Sequence, residues 1–162
     1  MGYKYLLPLD YNSVYKNDDA KPFTYDYRSS GGTRHDPGKL DMALGYNGVD
    51  IFSMTEGVVV GIGDYGDDPI DPTTYCHVLA DNKIMGHQAY FRYLHGNFDK
   101  TLKNKHINRG QKIGTVDTHG PGGYHLHVDI MPDLNHTYSS NGEFMGTLNF
   151  EHKTFTFEGT TY

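Results

Sequence analysis

The sequence predicts a mainly β protein, an antiparallel sheet or sandwich that forms a groove walled by loops, with little helix. Its 20 Gly and 7 Pro residues are scattered at turn-like spacings. Val, Ile, Thr, Tyr and Phe occur in short runs between those turns, which is typical of strands. No convincing helical period is sustained anywhere in the chain. We therefore expect one domain over residues 1–162, with a lead-in segment (1–32), a core (33–131) and a C-terminal extension of strands (132–162).

The predicted strands follow one another with turns or loops between them. Val49 and Ile51 alternate with Asp50 and Phe52, and an apolar run bounded by glycine follows at 57–63. Residues 67–75 read as a loop, because two prolines cannot lie in a central strand. The one segment that allows a short helix is 97–105. The other predicted elements are strands at 75–80, 88–96, 110–116 and 124–131, a turn at 82–86, a loop at 118–123, and a terminal strand or hairpin within 147–159.

Composition excludes several classes of function. The formal net charge of -6 disfavours nucleic acid as the main partner. Cys76 is the single cysteine, so no internal disulfide can form. No apolar run is long enough to predict a membrane span. The first residues have too short an apolar stretch for a signal peptide, so we expect none in this chain.

Two histidines one residue apart, in "YHLHVDI", are the first candidate site residues. On a strand, His125 and His127 point to the same face with their Cα atoms about 6.5 Å apart. One imidazole can then bind a metal while the other reaches a water molecule. Leu126 and Val128 point to the opposite face, toward the core. The alternative is a pair of exposed strand histidines without a function.

Other segments offer further metal ligands. A catalytic zinc takes three protein ligands and keeps an open position for water. Without a cysteine pair, histidine and aspartate must supply them. "RHDPGKLD" contributes His35 and Asp41, and "YFRYLHG" places His95 at the end of an aromatic strand.

With these motifs in order, the chain resembles the lysostaphin-type (LytM-type) zinc endopeptidases, which cut the peptides of bacterial cell walls. The resemblance covers roughly residues 33–131. It is carried by His35, Gly38 and Asp41, then "EGVVVGIG", then Tyr93 and His95 in "YLH", then "RGQKIGTV", then "GPGGYHLHVDI". The resemblance implies that the core segment is catalytic.

The resemblance also implies roles for individual residues. One zinc ion per chain would be held by His35, Asp41 and His127. His125 would be the general base, and His95 would orient the water or stabilise the oxyanion. Asp129 stands where the family usually has a glutamate. It is either a hydrogen-bond partner of a ligand or a solvated carboxylate at the strand end.

The first motif departs from the family pattern, because His35 and Asp41 are six residues apart instead of four. Asp50 follows Gly48 as the motif requires, but Tyr46 occupies its histidine position. Asp41 is preferred because its distance to Gly57 matches the family. Asp36 is the fallback carboxylate.

The substrate groove has weaker candidates. Tyr93, Tyr124 and His119 are candidates for its lining, although Tyr93 equally suits the core. The "GPGG" loop leaves room for an extended peptide bound as an added strand. His77, His87, His106, His136 and His152 match no motif, and we expect them at the surface.

The expected function is zinc-dependent hydrolysis of peptidoglycan stem peptides or cross-bridges, for wall penetration or lysis. The expected location is a phage tail or virion, or the extracellular wall, with other phage tail or lysin domains as potential partners. The alternatives are an inactive wall-binding or structural module of a phage tail, and a DD-carboxypeptidase. A carboxypeptidase needs a glutamate before its final histidine, and "THGPGGYH" contains none.

Overall fold

The computed structural model describes residues 39–43, 48–66, 69–70, 72–83, 88–117, 125–131, 146–149, 154–157 and 160–161. The regular elements among those residues are strands and one short 3-10 turn. The strands are β1 (Lys39–Ala43), β2 (Asp50–Phe52), β3 (Gly57–Asp64), β4 (Thr74–Ala80), β5 (Tyr90–Leu94), β6 (Gly96–Phe98), β7 (His106–Ile107), β8 (Lys112–Val116), β9 (His125–Met131), β10 (Gly146–Asn149), β11 (Thr154–Phe157) and β12 (Thr160–Thr161).

The strands pair into antiparallel sheets, which confirms the predicted fold class. A six-stranded sheet has the order β1-β9-β5-β4-β3-β7. A three-stranded sheet has the order β2-β8-β6, and the C-terminal strands form a sheet in the order β10-β11-β12. Strand β9, which carries the histidine pair, therefore lies between β1 and β5.

The core lies against one face of the six-stranded sheet. Val78, Phe91 and Val128 come from neighbouring strands and are fully buried there. Ile51 and Ile113 of the small sheet belong to the same buried cluster. Burying each such side chain contributes about 1.5–3 kcal/mol. The period-2 alternation of the strands then leaves the opposite face of the large sheet, which we call the site face, for polar side chains.

Most predicted strands in the described residues are observed, with differences at 97–105 and at strands β1 and β7, which were not predicted. The segment that allowed a helix, 97–105, contains strand β6 and only a 3-10 turn at Lys100–Leu102. Asp99 caps this turn by accepting a hydrogen bond from the Thr101 N–H. The hydrogen bond from the Thr101 hydroxyl, followed by that from the Thr101 N–H, lowers the pKa of Asp99. Strand β1 was not predicted, although Leu40 and Met42 alternate with polar residues.

Several predicted features lie outside the described residues, among them the lead-in segment and the 118–123 loop. The division of the chain into lead-in, core and extension stays a prediction. Within the part of the chain that the structure describes, no helix is long and apolar enough to cross a membrane.

Candidate active site

Two rows of facing residues run across the site face, perpendicular to the strands. Facing residues of an antiparallel pair lie on the same face, with Cβ atoms about 4.5–5.5 Å apart. The first row is Gly63, Tyr75, Leu94, His127 and Asp41, on β3, β4, β5, β9 and β1 in turn. The second row, on the same strands, is Gly61, His77, Arg92, Asp129 and Lys39.

The register distinguishes the two aspartates weighed as metal ligands. Asp41 faces His127 directly across the β1–β9 pair. Asp50 lies in the small sheet, where it faces Thr115 and forms an ion pair with Lys112 at 2.8 Å. Asp50 is thus occupied in a different sheet, and Asp41 is the aspartate that the fold brings to the histidine pair.

Three histidines converge at this end of the site face. The exposed fractions of His95, His125 and His127 are 7%, 4% and 3%. The ring centroid of His95 lies 4.5 Å from that of His125 and 6.2 Å from that of His127. The two strand histidines come from β9, whereas His95 comes from the chain just after β5. Residues predicted from separate motifs are therefore neighbours in space.

The backbone at His95 explains how its ring reaches the other two. His95 has a φ of 66°, in the left-handed region that non-glycine residues seldom adopt. Its N–H donates to the Thr74 carbonyl at 3.1 Å, and its own carbonyl accepts from the Asp117 N–H at 3.0 Å. The Thr74 hydroxyl donates to the carbonyl of Gly96 at 2.7 Å. These bonds hold the chain in this conformation immediately after β5.

The two residues that alternate with the histidines on β9 point into the core, as predicted. Leu126 and Val128 are fully buried members of the core cluster. Tyr93, which was a groove candidate as well as a core candidate, is also fully buried in that cluster. Its hydroxyl accepts a hydrogen bond from the Met54 N–H at 2.8 Å. Tyr93 is therefore a core residue and does not line a groove, because it lies on the face opposite the histidines.

Other predicted site residues, namely His35, Asp36, His119 and Tyr124, lie outside the described residues. Asp129 is placed by its backbone opposite Arg92, on the face of the histidines. Among the described residues, no group of three His, Cys, Asp or Glu side chains could hold a metal ion. The proposed ligand set also needs His35, which lies outside the described residues, and Asp41, whose backbone position on β1 the structure gives.

Cys76 is not an additional ligand. It lies on the core face of β4 and is fully buried. Burial raises the pKa of its thiol to about 12. A thiol binds zinc as the thiolate, so a protonated thiol on the far side of the sheet is not a candidate ligand for a metal on the site face.

The backbone is similar to several solved structures. A zinc-containing peptidase from Vibrio cholerae matches with a TM-score of 0.55 and 21% identity, over 79% of this chain and 36% of that one. Lysostaphin matches with a TM-score of 0.56 and 13% identity, over 90% of this chain and 66% of that one. The chain has the lysostaphin-type fold. Csd3 from Helicobacter pylori shares it, with a TM-score of 0.51 and 20% identity, over 94% of this chain and 37% of that one.

These matches establish the fold and leave the activity to be tested. No protein-family model matches the sequence, and no curated protein matches it. A chain of the SpoIIQ–SpoIIIAH pore-forming complex also matches, with a TM-score of 0.50 and 18% identity, over 79% of this chain and 84% of that one. The fold therefore occurs both in a peptidase and in a component of a pore-forming complex, so the fold alone does not establish an activity. None of these four is described as a phage protein, so the phage setting stays a prediction.

Proposed function

We propose that the chain is a zinc-dependent endopeptidase that hydrolyses peptide bonds in bacterial peptidoglycan, in stem peptides or cross-bridges. The observation that carries the proposal is the cluster of three buried imidazoles, with Asp41 facing His127 across the β1–β9 pair. Buried polar side chains usually have hydrogen-bond or metal partners, and imidazoles with a carboxylate on the facing strand position are the donor types of a zinc site. The shared fold with a zinc-containing peptidase supports the same interpretation.

The donor types of the proposed ligand set are those that zinc takes in proteins. His127 would supply a nitrogen and Asp41 an oxygen, since their backbones face each other on adjacent strands. His35, near Asp41 in the sequence, would complete a set of three protein ligands and leave one position open. When bound, zinc would supply the Lewis acidity that polarises a scissile carbonyl and makes a water molecule acidic near neutral pH.

The remaining imidazoles would move protons and stabilise charge. His125 would accept the proton of the attacking water at a ring nitrogen, and would later return it to the leaving amine. His95 would donate a hydrogen bond to the oxygen on which negative charge develops. Both rings are buried, so water is largely excluded and these interactions are stronger than in bulk solvent.

The first test is zinc content per chain, measured together with the release of new amino groups from purified peptidoglycan. We expect one zinc per chain, cleavage that a chelator abolishes, and recovery when zinc is added back. Mass analysis of the fragments distinguishes an endopeptidase from a carboxypeptidase, because only the latter releases single terminal residues. Zinc binding without any cleavage would favour the alternative of a wall-binding module.

Substitutions separate the roles of the two strand histidines. His127→Ala should lose both zinc and activity. His125→Ala should keep zinc and lose activity by a factor of about 10²–10⁴. His106→Ala is the matched control, since His106 is exposed and bonded to Asp81 at 2.6 Å, outside the site. The opposite pattern, with zinc lost in His125→Ala alone, would mean that the two roles are exchanged.

The delivery of the enzyme from a phage tail or virion is a further part of the proposal. Detection of the chain in purified virions would support it. An export signal on the full-length gene product would contradict it.

A further inference from the structure

An aromatic cluster occupies the site face beside the proposed catalytic residues. Tyr75 and His77, two residues apart on β4, stack with ring centroids 4.3 Å apart and an interplanar angle of 18°. Tyr65 packs against Tyr75 at 4.8 Å. We call these three side chains the aromatic shelf. His77 matches no sequence motif and is expected at the surface, whereas in the structure it is half-buried in this cluster.

Glycines on the adjacent strand β3 let the rings of the shelf pack close to the sheet. A Cβ atom on Gly63 would meet the Tyr75 hydroxyl oxygen at 2.9 Å. A Cβ atom on Gly61 would lie 3.4 Å from His77 Nδ1 and 3.5 Å from Tyr75 Cε2. Gly61 and Gly63 face His77 and Tyr75 in the β3–β4 register. The two rings therefore extend over β3, in space that side chains on β3 would fill.

A hydrogen-bond network fixes the outer edge of the shelf. The Tyr65 hydroxyl lies 3.1 Å from His77 Nε2, and Arg92 Nη1 donates to the same hydroxyl at 3.3 Å. Arg92 is 5% exposed, whereas Tyr65 is 44% exposed. The shelf is thus anchored from below by a buried side chain and reaches solvent at Tyr65. Rings that are already ordered lose little entropy when a ligand binds.

The two rows connect the shelf to the catalytic end of the face. Tyr75 faces Leu94, and Leu94 faces His127. Neighbouring strands are about 4.8 Å apart, so the backbone of Tyr75 lies about 10 Å from that of His127. An extended peptide covers that distance in about three residues.

We propose that the aromatic shelf binds a neutral N-acetylated sugar ring of the wall glycan, so that the bond to be cut lies about three residues along the attached peptide. The proposal rests on the proposed function, and it adds the carbohydrate part of the substrate to that site. The polarised C–H groups on one side of a pyranose ring suit the negative face of an aromatic ring. The Tyr65 hydroxyl, at the exposed edge of the shelf, can form hydrogen bonds with sugar hydroxyls or an acetamide group.

The charge of the chain favours this ligand over other wall polymers. The formal net charge is -6, which repels anionic polymers. Arg92, the cation that bonds the Tyr65 hydroxyl, is itself buried. A neutral sugar avoids both the repulsion and the need for an exposed cation.

The test is an NMR titration with tri-N-acetylglucosamine, which carries no peptide and does not require zinc. We expect saturable shifts of the Tyr65, Tyr75 and His77 ring signals, with a dissociation constant in the millimolar range. Tyr75→Ala should weaken binding at least tenfold. Tyr65→Ala, at an exposed position, tests the same surface with less risk to folding. Tyr90→Ala is the matched control, because Tyr90 lies on the same face of β5 and contacts Gln88 instead of the shelf.

The outcomes separate this proposal from the endopeptidase proposal. Equal binding by the wild type and both shelf variants, or no shift of the three rings, would overturn the shelf as a sugar site. Loss of cleavage of a free stem peptide by a folded Tyr75→Ala variant would also overturn it, because the shelf would then contact peptide. Sugar binding by a chain that cuts no peptide would support the shelf and count against the endopeptidase.

Discussion

His95 holds a backbone conformation that few residues other than glycine adopt, and Thr74 is the residue that secures it. Thr74 accepts from the His95 N–H and donates its hydroxyl to the carbonyl of Gly96. Left-handed conformations of non-glycine residues cost of order 1 kcal/mol or more and persist only where the surroundings enforce them. The conformation directs the His95 ring toward His125. Thr74 is therefore a positioning residue for the proposed oxyanion donor.

Replacing Thr74 tests this positioning. Thr74→Val removes the hydroxyl donor at nearly constant volume, and we expect kcat to fall about tenfold or more while KM changes little, since small misplacements of catalytic groups are costly. Thr74→Ser keeps the donor and should retain most of the activity. Zinc content should be normal in both variants. Equal kcat for Val and Ser would show that the hydroxyl does not position His95.

Cys76 should make the fold less stable at alkaline pH. Burial raises the pKa of its thiol from 9.0 to about 12. Below about pH 9 both the folded and the unfolded state keep the proton. Between about pH 9 and 12 only the unfolded state releases it, so the free energy of unfolding falls as pH rises. The expected loss from this group is about 1.4 kcal/mol at pH 10.

Denaturant unfolding of the wild type and of Cys76→Ala, near neutral pH and near pH 10, measures this contribution. The alanine variant should start less stable, because it leaves a small cavity, and should lose about 1.4 kcal/mol less on going to pH 10. Parallel pH profiles for the two proteins would contradict a protonated buried thiol.

At the scale of the strands, close backbone approach decides which glycines are required. A Cβ atom on Gly57 would lie 2.0 Å from the Leu79 carbonyl oxygen and 2.8 Å from its carbon. Backbone atoms of a central strand cannot move aside, so we expect Gly57→Ala to destabilise the fold by more than about 2 kcal/mol. Gly61→Ala is the control within the same strand, with no neighbour closer than 3.4 Å, and should change stability by less than about 1 kcal/mol. Equal midpoints in chemical denaturation would contradict the close approach.

The strands also show how far the sequence could predict the fold and the site. Alternation in "YHLHVDI" was enough to place His125 and His127 on one face and Leu126 on the other, because a strand has a period of two. Strand β1 was missed, since it has only five residues and two of them are large and apolar. The sequence did not predict which face of β5 Tyr93 occupies, because aromatic residues lie on both faces of that strand.

The pairing of β1 with β9 could not be read from the pattern. These strands are far apart in the chain, and register between distant strands depends on packing that no local window contains. The left-handed conformation of His95 was equally hidden, because it depends on Thr74 and Asp117 from other segments. The sequence therefore predicts well which face of β9 each residue occupies, and predicts poorly the contacts that set the mutual positions of the candidate site residues.

For the molecule as a whole, the proposed metal would link an edge of the large sheet to its interior. Among the described strands, β1 pairs only with β9, so it is an edge strand of the six-stranded sheet. Asp41 lies in the middle of β1 and His127 lies on β9. A ligand shared by the two strands stabilises the folded state by mass action, and by about 2.7 kcal/mol at a free concentration of 100 times Kd.

Zinc should therefore raise the thermal stability of the chain and protect β1 in particular. A gain of about 2.7 kcal/mol corresponds to a Tm increase of about 5–10 °C for a chain of this size. Hydrogen exchange should slow most at residues 39–43, and little at β7, which forms the opposite edge of the six-stranded sheet. His127→Ala should show neither effect. A rise in Tm with uniform protection, or with protection only outside β1, would place the metal elsewhere, because a zinc ion held by Asp41 must restrain the strand that carries it.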